Sequence, residues 1–413
     1  MRFALVSSVL PPGDSSHAAV LYRLLRDLDP ARYCLLSSDA SAAGRSTDPG
    51  RLPATHYYLP PTPRLTRGYR MGLRLWRERV NFAAGVIARG RAIARILRRE
   101  QCDAVVACTG GIDILDFPAA FLGSRLAGAR FCAYLLDQYG YMVAHVLGTH
   151  IFARLEPGLL TRAAAVIATN ACLRDDVRRR FHVDAALVHN PCDLAEYDGP
   201  AIAGSADIGI ARNDDHRIVY TGSIGPLHYE AFRTLLAAMA ALDRPNLTLH
   251  LYTPQLPDRL EREGIRGPVV FHPAQPLSAM PALQQRADVL FLALALHSSD
   301  PDIVRTAAPG KVGEYLAAGR PILVHAPPGS FLSTYFRDHR CGLVVDRSDP
   351  AALAAALQRL LGDPALRADL RARAWERARA DFDLETARRQ FAQAIGLPLP
   401  SSGEPDRTTT SGL

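Results

Sequence analysis

Residues 308–324 read APGKVGEYLAAGRPILV, a turn followed by a short helix and an apolar strand. Pro309 and Gly310 form the turn, Lys311 lies in the first turn of the helix, and Gly319 is a natural helix stop. A helix that begins beside a strand end presents free N–H groups to a phosphate, and Lys311 adds a full charge there. Glu314, one turn on, could accept hydrogen bonds from two ribose hydroxyls. Spacing alone leaves open an ordinary surface Lys–Glu pair.

Apolar, often β-branched runs alternate with helical stretches along the whole chain, which is typical of parallel α/β sheets. At 413 residues the chain exceeds the size of a single core, so two domains are expected. We therefore predict an α/β fold with two Rossmann-like, doubly wound domains that face a cleft, where such folds bind ligands. No GxGxxG motif follows a strand, so a dinucleotide fingerprint is absent.

The predicted elements follow this alternation. The predicted strands are Arg2–Ser8, Tyr33–Ser37, Thr55–Leu59, Ala104–Cys108, Phe131–Leu136, Ala165–Ala168, Ala186–Val188, Ile218–Thr221, Leu247–Tyr252, Val269–Phe271, Val289–Leu292, Pro321–Val324 and Leu343–Val345. The predicted helices are His17–Leu28, Val80–Arg99, Phe117–Leu126, Leu147–Ala163, Leu173–Phe181, Tyr229–Leu242, Pro276–Arg286, Lys311–Ala318, Pro350–Leu361 and Pro364–Ala380.

The composition, 48% hydrophobic and 22% charged, is that of a globular protein. No apolar run reaches the roughly 18 residues of a membrane span, and the first apolar run is too short for a signal peptide, so a cytoplasmic location is expected. The 7 cysteines are scattered without a CxxC pair, which favours neither a disulfide framework nor a zinc site. We expect no metal and no cofactor.

The chain is basic, with a net charge of +7 and a pI near 9.1, which favours anionic partners. Lys311 is the one lysine among 48 lysines and arginines. Residues 64–99 carry many arginines, aromatic residues and a single acid, Glu78. This stretch is either an ordinary helix with its arginines in water or a peripheral contact with the inner face of an anionic membrane. No feature resembles a reader of nucleic acid bases, so nucleic acid is not an expected partner.

The segment 308–324 resembles the donor-site signature of GT-B glycosyltransferases, in particular the family 4 type (glycosyl transferases group 1). Further stretches resemble that family in the same order along the chain. They are Arg162–Asn170, Val188–Asp193, Ile218–Gly225, Ala287–Leu292, Cys341–Val345, Phe382–Leu384 and Thr386–Ile395.

The resemblance implies an acceptor-binding domain at residues 1–197, a linker at 198–216 and a nucleotide-sugar-binding domain at 217–384. A C-terminal helix at 385–397 would cross back to the first domain, and 398–413 would form a disordered tail. The donor would be a nucleoside diphosphate sugar such as a UDP- or GDP-sugar. The predicted donor-binding residues are Gly222, Ser223, His228, Arg305, Thr306, Pro309, Gly310, Lys311, Val312 and Glu314.

The chain departs from the family at three donor positions. The arginine and lysine that usually clamp the diphosphate are Ser223 and His228 here, and the first of two glutamates is Thr306. Lys311, Arg305 or the helix N-terminus would then meet the charge of the diphosphate. Asp300 or Asp302 could stand in for the missing glutamate.

On the acceptor side, the loop Gly13, Asp14, Ser15 and His17 loosely resembles the glycine-rich acceptor loop of the family. Asp137 ends a strand where the family often has a cleft-facing His–Asp pair, so it is a candidate general base; a structural aspartate is the alternative.

The predicted function is metal-independent transfer of a sugar to a saccharide, lipid-linked or natural-product acceptor in polysaccharide or glycoconjugate biosynthesis. Lys311 and Asp137 are the candidate catalytic residues, and retention is favoured over inversion. The alternatives are a degenerate GT-B scaffold that binds a nucleotide sugar or partner without turnover, and a sugar-nucleotide epimerase.

Overall fold

A computed structural model describes residues 1–11, 13, 15–39, 50–62, 74–110, 113–139, 149–198 and 215–398, with the backbone alone at 74–75 and 149–154. Most of the predicted linker 198–216 and tail 398–413 lies outside these ranges, as do residues 64–73 of the basic stretch and Asp14. The described chain forms two parallel sheets with helices between their strands. The predicted α/β class with two doubly wound sheets is confirmed.

The first sheet has seven parallel strands in the order β3-β2-β1-β4-β5-β6-β7. Its strands are β1 Phe3–Val6, β2 Tyr33–Ser37, β3 Thr55–Tyr58, β4 Ala104–Cys108, β5 Arg130–Leu135, β6 Ala165–Ala168 and β7 Ala186–Leu187. The central strands β1 and β4 are buried at every position, which explains why they are continuous apolar runs without alternation.

The second sheet has six parallel strands in the order β10-β9-β8-β11-β12-β13. Its strands are β8 His216–Thr221, β9 Leu247–Tyr252, β10 Val269–His272, β11 Val289–Ala293, β12 Ile322–His325 and β13 Leu343–Val345. We call the two sheets with their helices the first and second units.

The described helices cover both faces of the sheets. They are α1 Ser16–Leu25, α2 Arg74–Arg99, α3 Asp116–Ala127, α4 Thr149–Leu160, α5 Ala171–Phe181, α6 Pro226–Leu242, α7 Pro257–Arg262, α8 Met280–Gln285, α9 Pro301–Thr306, α10 Lys311–Ala317, α11 Phe331–Asp338, α12 Pro350–Gly362, α13 Pro364–Asp381 and α14 Leu384–Ile395. None of them is long and apolar enough to pass through a bilayer.

Each sheet has a switch point, where the strand order reverses beside its first strand. In the first unit this point lies between β1 and β4, and in the second it lies between β8 and β11. Ligands of doubly wound folds bind at the carboxyl ends of the strands at such points. The loops that follow β1 and β8 therefore carry the expected binding positions.

The chain passes between the two units at two crossing segments, 188–192 and 382–387. Val188 and Ala387 belong to a core cluster of the first unit, whereas Cys192 and Phe382 belong to one of the second. The two segments lie side by side, because Cys192 N donates to Phe382 O at 2.7 Å. Helix α14 then packs on the first sheet, where Phe391 contacts the rings of Phe3 and Tyr134.

Several short stretches differ from the sequence predictions, and helices α7 and α9 are among those not predicted. The helix predicted at 276–286 is a 3-10 turn, Leu277–Ala279, followed by the short α8, whose Pro281 fits only in a first turn. Helix α11 was not predicted. It is 8 residues long and begins at the cap Ser330, and it buries Phe331 and Phe336. Its stability therefore comes mainly from packing.

Candidate functional site

The candidate donor site begins at helix α10, which packs directly on the two crossing segments. Gly313 faces them so closely that a Cβ there would lie 2.9 Å from Cβ of Phe382 and 3.0 Å from Cβ of Cys192. Gly319, with φ of +68°, ends the turn that follows the helix. Glycine at these two positions thus fixes where the first residues of α10 point.

Lys311, the first residue of α10, reaches back over the loop that follows β8. Its Nζ lies 3.8 Å from the centroid of the Tyr220 ring, at the end of that strand. Gly222 has φ of +113°, and a Cβ there would be 3.2 Å from Nζ, so a side chain would exclude the ammonium. Lys311 makes no ion pair with any described residue. Burial lowers its pKa to about 7.

The loop after β8 contributes polar groups without a second charge. The Ser223 side chain is exposed, and its carbonyl accepts the Tyr220 hydroxyl at 2.8 Å. His228 Nδ1 accepts the Gly225 N–H at 3.3 Å, which caps helix α6. Burial first, and the Lys311 charge second, lower the pKa of His228 to about 3, so this imidazole is neutral at physiological pH. Of the described residues discussed around this loop, Lys311 is therefore the one that brings a positive charge to it.

Glu314 is buried, with 7% of its surface exposed, and both of its oxygens are bonded. Oε1 accepts from Arg23 Nη2 at 2.8 Å, and Oε2 accepts from Gln284 Nε2 at 2.9 Å. Arg23 belongs to α1 of the first unit, so the carboxylate joins the two units. Sequence reasoning missed Arg23 and Gln284, because both lie in ordinary helical stretches with no motif around them.

The other predicted donor residues around α9 contact the first unit. Arg305 Nη2 pairs with Asp176 at 2.5 Å, and the Thr306 carbonyl accepts from Asn170 Nδ2 at 2.9 Å. A second asparagine, Asn190, donates to the Ala308 carbonyl at 2.9 Å. These contacts hold residues 305–308 against the first unit; the role of Arg305 and Thr306 in donor binding stays a prediction.

The remaining donor positions complete the turn into α10. The Pro309 carbonyl accepts the Val312 N–H at 3.1 Å, and the Val312 side chain is buried in the core. A Cβ on Gly310 would lie 3.2 Å from Cβ of Ser16, at the start of α1. The start of α10 therefore faces the predicted acceptor loop directly.

The structure brings two predicted acceptor-side residues into contact. His17 Nε2 lies 3.1 Å from Asp137 Oδ2. Burial alone would lower the pKa of His17, but the hydrogen bond and charge of Asp137 outweigh it and raise the pKa above its ordinary value. Gly110, with φ of +90°, makes room for the ring, since a Cβ there would be 2.6 Å from His17 Cε1. We call His17 and Asp137 the acceptor-side pair.

The other described acceptor-loop residues, Ser15 and Gly13, shape the backbone of the loop. The Ser15 hydroxyl caps α1 by accepting the Ala18 N–H at 3.1 Å. Gly13 lies in a tight bend, where a Cβ would be 3.0 Å from the Leu10 carbonyl. Among the described residues, no three His, Cys, Asp or Glu side chains are placed to hold a metal ion.

Comparisons with known proteins agree with this architecture. No curated protein matches the chain. Residues 215–363 match the family model described as glycosyl transferases group 1, which confirms the resemblance found in the sequence.

Solved structures of low sequence identity share the fold over nearly the whole chain. HepE from Anabaena, crystallised with UDP, has 13% identity and a TM-score of 0.68, with 96% of this chain and 100% of that chain covered. A sucrose-phosphate synthase from Thermosynechococcus elongatus has 18% identity and a TM-score of 0.63, with 95% and 97% covered. A UDP-forming trehalose-phosphate synthase from Burkholderia xenovorans, crystallised with glucose-6-phosphate, has 14% identity and a TM-score of 0.64, with 96% and 100% covered. The chain therefore has the GT-B fold.

Proposed function

We propose that this GT-B chain, whose second unit matches the glycosyl transferases group 1, moves a glycosyl group from a nucleoside diphosphate sugar to an acceptor. The donor would lie at the switch point of the second unit and the acceptor on the first unit. One observation carries the proposal: the Lys311 ammonium, which forms no ion pair with a described residue, lies over Gly222 where the strand order reverses. HepE, a structural neighbour, was crystallised with UDP and with UDP-glucose.

The proposed chemistry places the diphosphate against Lys311. The bond between the anomeric carbon and the β-phosphate oxygen breaks, and a bond from the acceptor oxygen to the anomeric carbon forms. Charge accumulates on the departing diphosphate, and a preorganised cation stabilises it most where little water competes. Because Ser223 and the neutral His228 supply no charge, Lys311 is the residue that meets this demand.

The acceptor-side pair would position the acceptor hydroxyl. The resemblance favours retention, in which the departing phosphate itself takes the acceptor proton; in an inverting reaction Asp137 would take it, directly or through His17. We expect His17→Gln and Asp137→Asn to lower kcat by about 10²–10⁴-fold if the pair moves the proton, and mainly to raise the acceptor KM if it only positions the hydroxyl. The anomeric configuration of the product, measured by NMR, separates the two stereochemical outcomes.

A panel of radiolabelled nucleotide sugars with several acceptors tests the proposal. Transfer or donor hydrolysis that disappears in Lys311→Ala supports the transferase and excludes a scaffold. Binding without turnover across the panel would favour the scaffold, which the altered positions Ser223 and Thr306 also favour. Isomerised donor formed without acceptor would instead identify an epimerase.

The exposed face of α2 supports a lipid-linked acceptor. Trp76 is 61% exposed and Ile87 is 44% exposed, and Arg91 and Arg95 follow them along the exposed face of the helix. Apolar side chains beside arginines suit an anionic membrane surface, and we propose peripheral contact there with the inner face of the membrane. Sedimentation with phosphatidylglycerol vesicles, but not with phosphatidylcholine vesicles, is the expected result.

A further inference from the structure

We propose that Arg23, on a helix of the first unit, is a positioning residue for the nucleotide: it orients the Glu314 carboxylate toward the ribose of the donor. The inference rests on the proposed function, because it assumes that a nucleoside diphosphate binds beside α10. It adds that the ribose contact of the second unit is built partly by the first unit. Donor recognition and the packing of the two units would then be coupled.

Arg23 is held by hydrogen bonds of both its side chain and its backbone carbonyl. It is 3% exposed, at the last turn of α1. Nη2 donates to Glu314 Oε1 at 2.8 Å, while Nη1 donates to the Pro191 carbonyl of the first crossing segment at 3.1 Å. The Arg23 carbonyl accepts from Arg388 of α14 at 2.7 Å. A guanidinium fixed in this way presents one N–H to the carboxylate in a single geometry.

The second oxygen of Glu314 is fixed independently of Arg23. Gln284 Nε2 donates to Oε2 at 2.9 Å, and the amide is itself set by the Tyr197 hydroxyl, which donates to Gln284 Oε1 at 2.7 Å. A carboxylate offers about four acceptor sites. With one bond on each oxygen, each oxygen keeps a second lone pair, so two neighbouring hydroxyls of a ribose can still be accepted.

Electrostatics make Arg23 the partner on which this arrangement depends. Burial alone would lower the pKa of Arg23, but the charge and the hydrogen bond of Glu314, together with Cys192 and Tyr197, raise the pKa above its ordinary value. Gln284 is neutral and cannot balance the carboxylate. Without Arg23, the buried Glu314 carboxylate would lose the cation bonded to Oε1 and would be free to turn away from the nucleotide.

A matched control lies one turn along the same helix. Arg26, which caps the end of α1, pairs with Asp193, Glu196 and Asp27 and forms no hydrogen bond or ion pair with Glu314. Arg26→Met therefore removes these ion pairs beside the first crossing segment and leaves the Glu314 carboxylate in place. Arg23→Met removes the cation from Glu314, and Arg23→Lys keeps a charge but cannot reach both Glu314 and Pro191 in the fork geometry of arginine.

The test compares nucleotides that differ only at the ribose. UDP, GDP and ADP and their 2′-deoxy forms are titrated by calorimetry into the full chain without acceptor, and the deoxy-to-ribo ratio of Kd is measured for the tightest base. We expect the wild-type protein and Arg26→Met to bind the deoxy form about tenfold more weakly. Arg23→Met should bring the ratio to about one to two, and Arg23→Lys should give an intermediate ratio.

Each other outcome has a definite meaning. If Arg23→Met keeps the wild-type deoxy-to-ribo ratio of Kd, the inference is overturned. If Arg23→Met does not fold, a wild-type ratio in Arg23→Lys overturns it. A ratio near one in the wild type also overturns it, while nucleotide binding itself leaves the proposed function standing. If the wild-type protein binds none of the nucleotides, the proposed function fails first, and the inference fails with it.

Discussion

Donor affinity should fall steeply as the pH rises above neutrality, because Lys311 titrates there. Its pKa of about 7 means that the ammonium is half deprotonated at pH 7 in the free protein. A bound diphosphate favours the protonated form, so binding takes up a proton and weakens as the pH rises. From pH 7 to pH 9 the affinity for a nucleotide sugar should drop about 50-fold, or about 2.3 kcal/mol, with little change below pH 6. His228, with a pKa of about 3, stays neutral over this range.

The assay is calorimetry at pH 6, 7, 8 and 9 with the nucleotide sugar that binds most tightly. A nucleotide sugar is used because its diphosphate keeps the same charge over this range. Lys311→Met should bind weakly at pH 6 and show almost no dependence on pH. If the wild-type affinity is flat from pH 6 to pH 9, Lys311 is not the cation that meets the diphosphate, and the reasoning is refuted.

Three further predictions concern stability and membrane contact. Arg23→Met removes the cation that is bonded to the buried Glu314 carboxylate, and it should lower the free energy of unfolding by about 3–5 kcal/mol. Adding Glu314→Gln should partly restore this loss; urea unfolding measures both. Gly313→Ala puts a methyl group 2.9 Å from Phe382 and should cost about 1–3 kcal/mol in the same assay. Trp76→Ser should reduce sedimentation with phosphatidylglycerol vesicles several-fold and change the unfolding free energy by less than about 0.5 kcal/mol.

Controls make these results specific. Gly362, near the end of α12, has open space where a Cβ would lie, so Gly362→Ala should leave stability almost unchanged. Equal losses at Gly313 and Gly362 would contradict the packing argument. An additive double variant of Arg23 and Glu314 would show that the two charges do not depend on each other. Unchanged sedimentation of Trp76→Ser would remove α2 as the membrane surface.

Local sequence patterns predicted the strands and most of the helices, because buried parallel strands are short apolar runs that few other structures require. Strands such as Tyr33–Ser37 and Leu247–Tyr252 were predicted to the residue. Short elements stabilised by tertiary packing were missed or misplaced. Helix α11 is an example, since Phe331 and Phe336 hold it by burial and no strong helical propensity marks it.

At the candidate site, too, the sequence predicted residues that are close together in the chain and missed contacts between residues that are far apart in it. Lys311 and Glu314 were predicted together because they lie three positions apart in one short helix. Arg23 lies 291 positions from Glu314, and no pattern in one sequence reports a contact over that distance. The place of Arg305 near the motif predicts a donor residue, and no local pattern predicts its contact with Asp176, which lies 129 residues earlier.

The adjacent crossing segments suggest how substrates would be exchanged. Since the backbone passes between the units at Cys192 and again at Phe382, with a hydrogen bond between them, rotation of one unit would pivot there. Gly313 packs on these two segments, so the start of α10 would move little when one unit rotates against the other. The parts of the two units farthest from the crossing segments would move most. We therefore expect ordered binding and release. The nucleotide sugar would bind first, near the rotation axis, and the acceptor would bind second. The glycosylated product would then leave before the nucleoside diphosphate.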